Sequence, residues 1–203
     1  MAEDNETIST RMAGKHRAIL DGALEVFARD GYSRTTIDAI SATAGVSTRT
    51  IYNHFQDKAH LFQRVIRRSA GEAAEAQIAI IDRHLAKVTD IDADLVALGL
   101  ALVRTIPGSA AHFALVRQVE ADADHIPREA LEAWRETGPR RVRRALGEKF
   151  TELQSRGLLR VDEPDLAAWH FLLLVSGPVD DTEAEIETVV KAGVRVFLRG
   201  YST

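Results

Sequence analysis

The sequence predicts an all-helical fold. Three observations carry that prediction. Apolar residues recur at three- and four-residue spacing along most of the chain. Gly, Pro, Asp, Ser and Thr punctuate these stretches where helices start and stop. No stretch alternates apolar and polar residues as a strand would, and no repeat occurs. The punctuation divides the chain into about nine helices.

Residues 1–13 read as a flexible polar tail. Over 14–29, Ile19, Leu20, Ala23, Val26 and Phe27 share one helical face. Asp30-Gly31 ends this helix, with Gly31 suited to a left-handed cap. Thr35 or Thr36 starts a second, short helix that reaches Ala44. Gly45 breaks it, and Ser47 starts a third that reaches about Phe55. Asp57 caps a fourth, long helix beginning at Lys58 and passing Ala70. Further along, 90–105 is an apolar helix stopped by Pro107-Gly108, and 109–124 is another. Pro127 opens a charged run over 128–155, which Gly138-Pro139 kinks or splits and Gly157 closes. Glu163-Pro164-Asp165 opens a helix to Val175, stopped by Gly177-Pro178. Asp181 or Thr182 starts the last helix, which ends near Gly200.

Net charge is −4, which by itself argues against a nucleic-acid partner. Its distribution argues the other way. Residues 11–69 hold ten Lys or Arg against five Asp or Glu, a net of +5, and the rest of the chain is acidic. A basic module on an acidic body fits a small DNA-reading head; it also fits uneven surface charge with no partner. There is no cysteine, so disulfides and thiolate metal sites are excluded, and the composition fits a reducing cytoplasm. The polar, acidic start is not a secretory signal. The densest apolar stretch, 166–175, is too short to span a bilayer, so no membrane partner is expected.

The functional signal lies in residues 31–55, GYSRTTIDAISATAGVSTRTIYNHF. Two short helices meet at a tight turn on Gly45. Ile37, Ile40 and Ala44 share one face of the first, and Val46, Ile51 and Phe55 face inward from the turn and the second. Small residues (Ala39, Ala42, Ala44) let the helices approach closely. Such a pair presents the outer face of its second helix to a DNA major groove. That face starts at Ser47 and carries Thr48, Arg49, Thr50, Tyr52, Asn53 and His54, all able to form hydrogen bonds. The Arg49 guanidinium can fork onto a guanine or grip a phosphate, and Thr48 and Thr50 can meet a phosphate, a base edge or a thymine methyl. Tyr52 and His54 suit phosphate oxygens. Lys58, in the first turn of the next helix, and Thr36, at the start of the second, suit phosphates on either side.

This stretch resembles the helix-turn-helix of the TetR family of bacterial regulators. The matching residues are Phe27, Gly31-Tyr32, Thr35-Thr36-Ile37, Ile40-Ser41, Ala44-Gly45-Val46-Ser47, Thr50-Ile51-Tyr52, His54-Phe55, Lys58 and Leu61-Phe62, all in the first third of the chain. The acid usual after the lysine is absent, and Ala59-His60 stands there. The resemblance implies a DNA-binding head over 14–57, a connecting helix to residue 75 or so, and a body over 76–203 that dimerises and holds an effector. It further implies a ligand-released repressor, acting as a homodimer on a palindromic operator whose half-sites lie about 34–36 Å apart. The helix from Lys58 would be the lever between ligand and head. The effector would be small and largely apolar, and no cofactor is implied.

The residues of the body add their own support. The segment 166–175, with Leu166, Trp169 and Leu173, is apolar nearly all round and must be buried on more than one side. The last helix carries a broad stripe of Ile186, Val190, Val194 and Phe197. These two helices can pair with their copies in a four-helix dimer interface, or they are internal core. On the middle helices, Val103, His112, Phe113, Val116 and Trp134 are candidates to line an effector pocket, with ordinary core as the other reading.

Glu120, Asp122, Asp124 and His125 fall as two pairs on different helix faces and lack the glycine and glutamate of a calcium loop, so no metal site is expected. Arg140-Arg141 and Arg143-Arg144 read as a solvated helix face or a partner to the acidic helices, with DNA contact as a lesser option. No nucleophile–base spacing, phosphate loop or dinucleotide fingerprint occurs, so the chain is not read as an enzyme. Two alternatives to a DNA-binding regulator remain at this level: an enzyme built on a helical bundle, and a dimeric module whose head binds another protein.

Overall fold

The computed structural model describes residues 2–104, 110–176 and 182–201, with side chains from residue 12 onward. Its α-helices are α1 (Ala2–Arg34), α2 (Ile37–Ala44), α3 (Thr48–His54), α4 (Lys58–Leu85), α5 (Ile91–Arg104), α6 (Ala110–Ala121), α7 (Arg128–Thr137), α8 (Pro139–Ser155), α9 (Pro164–Val175) and α10 (Glu183–Tyr201). A 3-10 turn at Ala123–His125 follows α6. No strand occurs among the described residues. Segments α7 and α8 are the single charged run that Gly138 splits; counted as one, they leave the nine helices that the punctuation indicates.

Several starts are set by side-chain caps. Asp57 Oδ1 accepts the His60 N–H at 2.7 Å, and Asp90 Oδ1 accepts those of Asp92 and Ala93 at 3.1 and 3.2 Å. Thr182 and Glu185 cap one another reciprocally at the start of α10. Two details differ from expectation. The expected tail is helical, since α1 begins at Ala2. Gly31 takes the expected positive φ (78°, ψ 171°) and interrupts helical conformation as expected, but a further helical turn follows at once, to Arg34. The expected stops at Pro107-Gly108 and Gly177-Pro178, and Asp181, lie outside the described residues.

The chain forms two compact units. The first takes 1–72 and 109–137, and the second takes 73–108 and 138–203, so α4 starts in one and ends in the other. The first unit is built on Ile19, Phe27, Ile40, Ile51, Phe55 and Phe62, joined by Leu115 and Val119 of α6 and Ala130 of α7. Phe27 meets Phe62 edge-on, 4.8 Å between centroids. Helices α6 and α7, expected in the body, therefore share the core of the head. The second unit packs α5, α8, α9 and α10 around Leu95, Leu98, Phe150, Phe171, Val194 and Phe197. The Phe150, Phe171 and Phe197 rings meet pairwise at 5.8, 5.2 and 5.3 Å.

Candidate nucleic-acid interface

Helices α2 and α3 are held as a pair by local chemistry. Thr36, in extended backbone, accepts the Ala39 N–H on its hydroxyl at 3.2 Å and starts α2. The Thr35 hydroxyl is used elsewhere and donates to the Gly31 carbonyl at 2.6 Å. Gly45 ends α2 in the left-handed region (φ 65°, ψ 32°). The Val46 N–H returns to the Ser41 carbonyl at 3.1 Å and the Gly45 N–H to that of Ala42 at 3.4 Å, the paired bonds of a glycine C-cap. Ser47 then starts α3: its Oγ accepts the Thr50 N–H at 3.1 Å and lies 2.9 Å from Thr50 Oγ1. Two residues thus separate the turn glycine from α3, and both helix ends are satisfied.

Burial fixes which side of the pair faces out. Ile40, Ile51 and Phe55 are buried, while Ile37, Ala44 and Val46 are half-buried. The end of α2 lies against α1: a Cβ on Gly22 would stand 2.9 Å from both the Cβ and the N of Ala44. Ala42, expected at a close approach, is exposed. On α3, Arg49, Tyr52 and Asn53 are exposed, Tyr52 by 56%. Thr48, Thr50 and His54 are half-buried, and Ser47 and Thr36 are exposed at the two helix starts. The His54 ring lies edge-on to His16 of α1 (5.7 Å), and His16 stacks on Phe55 (5.3 Å). Burial, with His54, Arg64 and Arg68 nearby, lowers the pKa of His16.

Lys58 is placed differently from the sequence reading. Its ammonium donates to the carbonyls of Tyr32 and Thr35 at 2.9 and 3.1 Å, and lies 4.6 Å from the centroid of the Tyr32 ring. These are the carbonyls at the bend between α1 and α2, which need donors because the helix is interrupted there. The charge expected to grip phosphate therefore ties the bend together. No local signal at Lys58 announces this, since its partners lie 23 and 26 residues back.

A small head of helices with a capped, outward-facing third helix is common to several classes of DNA-binding protein, and comparison decides among them. Residues 19–65 match the family model for bacterial regulatory proteins of the tetR family. Residues 93–203 match that for the C-terminal domain of AefR-like transcriptional repressors. The chain belongs to the TetR family. Among curated relatives, it is 36% identical over 67 residues to the HTH-type transcriptional repressor AcnR of Corynebacterium diphtheriae, covering 33% of this chain and 35% of the relative. It is 38% identical over 60 residues to the regulator AcrR of Shigella flexneri, covering 30% and 28%. These matches span only about a third of the relatives' length. Whole-chain likeness comes from solved structures. A TetR-family regulator from Mesorhizobium loti superposes with a TM-score of 0.84 at 28% identity, covering 95% of this chain and 99% of that one. The flavonoid-responsive regulator FrrA gives 0.63 at 28%, covering 93% and 97%.

For this TetR-family chain the remaining expected sites divide. Val190, Val194 and Phe197 of α10 are buried in the second unit's own core, so they are not a surface for a partner. Helical periodicity identifies a buried face but not which neighbour covers it. Gly193 shows the neighbour: a Cβ there would collide with the Leu174 carbonyl of α9. Leu166 and Ile186 are half-buried, and Trp169 (49%) and Leu173 (60%) are exposed, together with Val196 (54%) of α10. Of the pocket candidates, Val103 belongs to the second unit and the other four to the first. His112 is half-buried with its Nδ1 2.8 Å from Ser69 Oγ, and burial lowers its pKa. Phe113 packs on His112 (5.4 Å), while Val116 and Trp134 are half-buried. Two open hollows in the first unit, of about 490 and 750 Å³, are lined by none of the five. Among the described residues no three His, Cys, Asp or Glu side chains converge as metal ligands, and no helix is long and apolar enough to cross a membrane.

Proposed function

We propose that the chain is a sequence-specific DNA-binding repressor that acts as a homodimer on a palindromic operator and is released by a small, largely apolar effector. One observation carries the reading: α3 stands on a satisfied cap with Arg49, Tyr52 and Asn53 exposed along one side and Ile51 and Phe55 buried on the other. Arg49 offers the fork that reads guanine, Asn53 the amide that reads adenine, and Tyr52 a phosphate donor. Thr48, Thr50 and His54 flank them, with the Ser47 and Thr36 hydroxyls at the helix starts. Lys58 acts from behind by fixing the bend.

The dimer reading is supported by the exposed apolar side chains of α9 and α10, Trp169, Leu173 and Val196, with Leu166 and Ile186 half-buried on the same two helices. One half-site alone would hold a small head weakly, so a second copy raises affinity and imposes the symmetry of the site. The effector reading draws on relatives: AcnR is a repressor and FrrA is flavonoid-responsive. Selection of bound DNA from a random pool tests the whole reading. A palindrome should be enriched, and its binding should weaken steeply with salt as phosphate contacts release counterions. A pool that yields no enriched sequence defeats it.

A further inference from the structure

We propose that Asp122 is a positioning residue for DNA reading: its carboxylate clasps the elbow between α1 and α2 and so sets the direction in which α2 and α3 leave α1. The functional consequence rests on the DNA-binding reading above; the clasp itself rests on geometry within the first unit. At Gly31 the backbone leaves helical conformation, and the N–H groups just beyond it lose their partners four residues back, as at a helix start. The Ser33 N–H is supplied instead by Asp122 Oδ2 at 3.1 Å, across 89 residues of sequence. A Cβ on Gly31 would stand 2.7 Å from that same Oδ2 and 2.8 Å from Gln118 Oε1. The last turn of α6 is thus pressed on the bare backbone of the elbow, at a distance only glycine permits.

The clasp is firm at both ends. The Asp122 N–H bonds the Gln118 carbonyl at 2.9 Å, and its own carbonyl accepts the His125 N–H at 2.8 Å. On its other sides the elbow is held by the Thr35 hydroxyl on the Gly31 carbonyl and by Lys58 on the carbonyls of Tyr32 and Thr35. Asp122, the residue that follows α6, therefore supplies the acceptor that α1 lacks, as Lys58 of α4 supplies the donor. The sign of the charge makes the idea decidable. A bystander carboxylate on a DNA-binding unit repels phosphate, so deleting it would strengthen DNA binding or leave it unchanged. A clasp predicts weaker binding.

The test uses the full chain with Asp122→Ala and Asp122→Asn. In the DNA-free protein, Asp122→Ala should speed amide exchange at Ser33 while core amides such as that of Phe27 keep their protection. On the selected operator, affinity should fall about three- to tenfold, the loss of one charge-assisted bond at a partly exposed site. The slope of log K against log salt should not change, because no phosphate contact is removed. Asp122→Asn keeps an acceptor and should recover most of the affinity. Unaltered Ser33 exchange, or operator binding equal to or tighter than the parent, overturns the proposal. If Asp122→Ala loses core protection throughout, Asp122→Asn, which has the same shape, decides. If the parent chain selects no DNA, the DNA-binding reading has failed separately and Ser33 exchange alone rules on the clasp.

Discussion

Gly22→Ala sets two well-known effects against each other. In an exposed helix interior the change stabilises by about 1 kcal/mol, because alanine loses less conformational freedom than glycine. At Gly22 the new Cβ would stand 2.9 Å from Ala44 Cβ, 2.9 Å from Ala44 N and 3.0 Å from Ala44 Cα. Two of those atoms are backbone, next to the left-handed Gly45, so the neighbour cannot rotate away without shifting the turn. Overpacking of this kind costs about 1–3 kcal/mol. The net expectation is destabilisation of about 1 kcal/mol, opposite in sign to propensity. Gly14→Ala, in the same helix with nothing within 4 Å of the added atom, is the control and should stabilise by up to about 1 kcal/mol. Urea unfolding in a Trp169→Phe background leaves Trp134 to report on the first unit. Adding Ala44→Gly to Gly22→Ala should recover only part of the loss, since the backbone contacts remain. A Gly22→Ala chain as stable as its parent, with Gly14→Ala gaining as expected, would refute the tight α1–α2 contact.

Three other outcomes follow from named contacts. Lys58→Met keeps the apolar stem but removes two charge-assisted bonds to the elbow, and should lower stability by about 1–3 kcal/mol. The salt slope of operator binding should stay the same in that variant; a shallower slope would return Lys58 to the phosphate contacts. His112 and His16 both have pKa values lowered by burial from the ordinary 6.5, so the unfolded chain binds more protons than the folded one. Stability is then full above pH 6.5 and is lost as pH falls below it, levelling off under the folded pKa values. Thermal unfolding between pH 7.5 and 5 should show this decline, flattened by His112→Gln and His16→Gln together; an unflattened decline would assign it to other groups. Leu173→Glu, on a side chain exposed by 60% in the single chain, should give a folded monomer by sedimentation, and a persistent dimer would place the interface elsewhere.

What the sequence made legible was local. Thr36, Ser47 and Asp57 announce their helices because a cap acts within three residues, and Gly45 announces the turn because only glycine is at ease with φ of 65°. The outer face of α3 follows from the burial of Ile51 and Phe55 by simple helical phase. What stayed hidden was long-range. Lys58 reads as an outward cation until the carbonyls of residues 32 and 35 are seen beneath it. Asp122 reads as one of four residues in a failed metal pattern, while its partner Ser33 lies 89 residues away. The stripe of Val190, Val194 and Phe197 is correctly apolar, but periodicity does not say whether α9 or a second copy covers it. One missed signal was available: a glycine at position 22, amid an otherwise good helix, marks a close approach.

Whether the exposed side of α3 reads base edges is decided by operator affinity, measured for the parent and for Arg49→Ala against every single base-pair change in one half-site. Arg49→Ala should lose about 1–3 kcal/mol, and at one base pair the variant should no longer distinguish the four choices. If affinity and base preference are both unchanged, α3 does not read DNA through Arg49 and the account fails at its core.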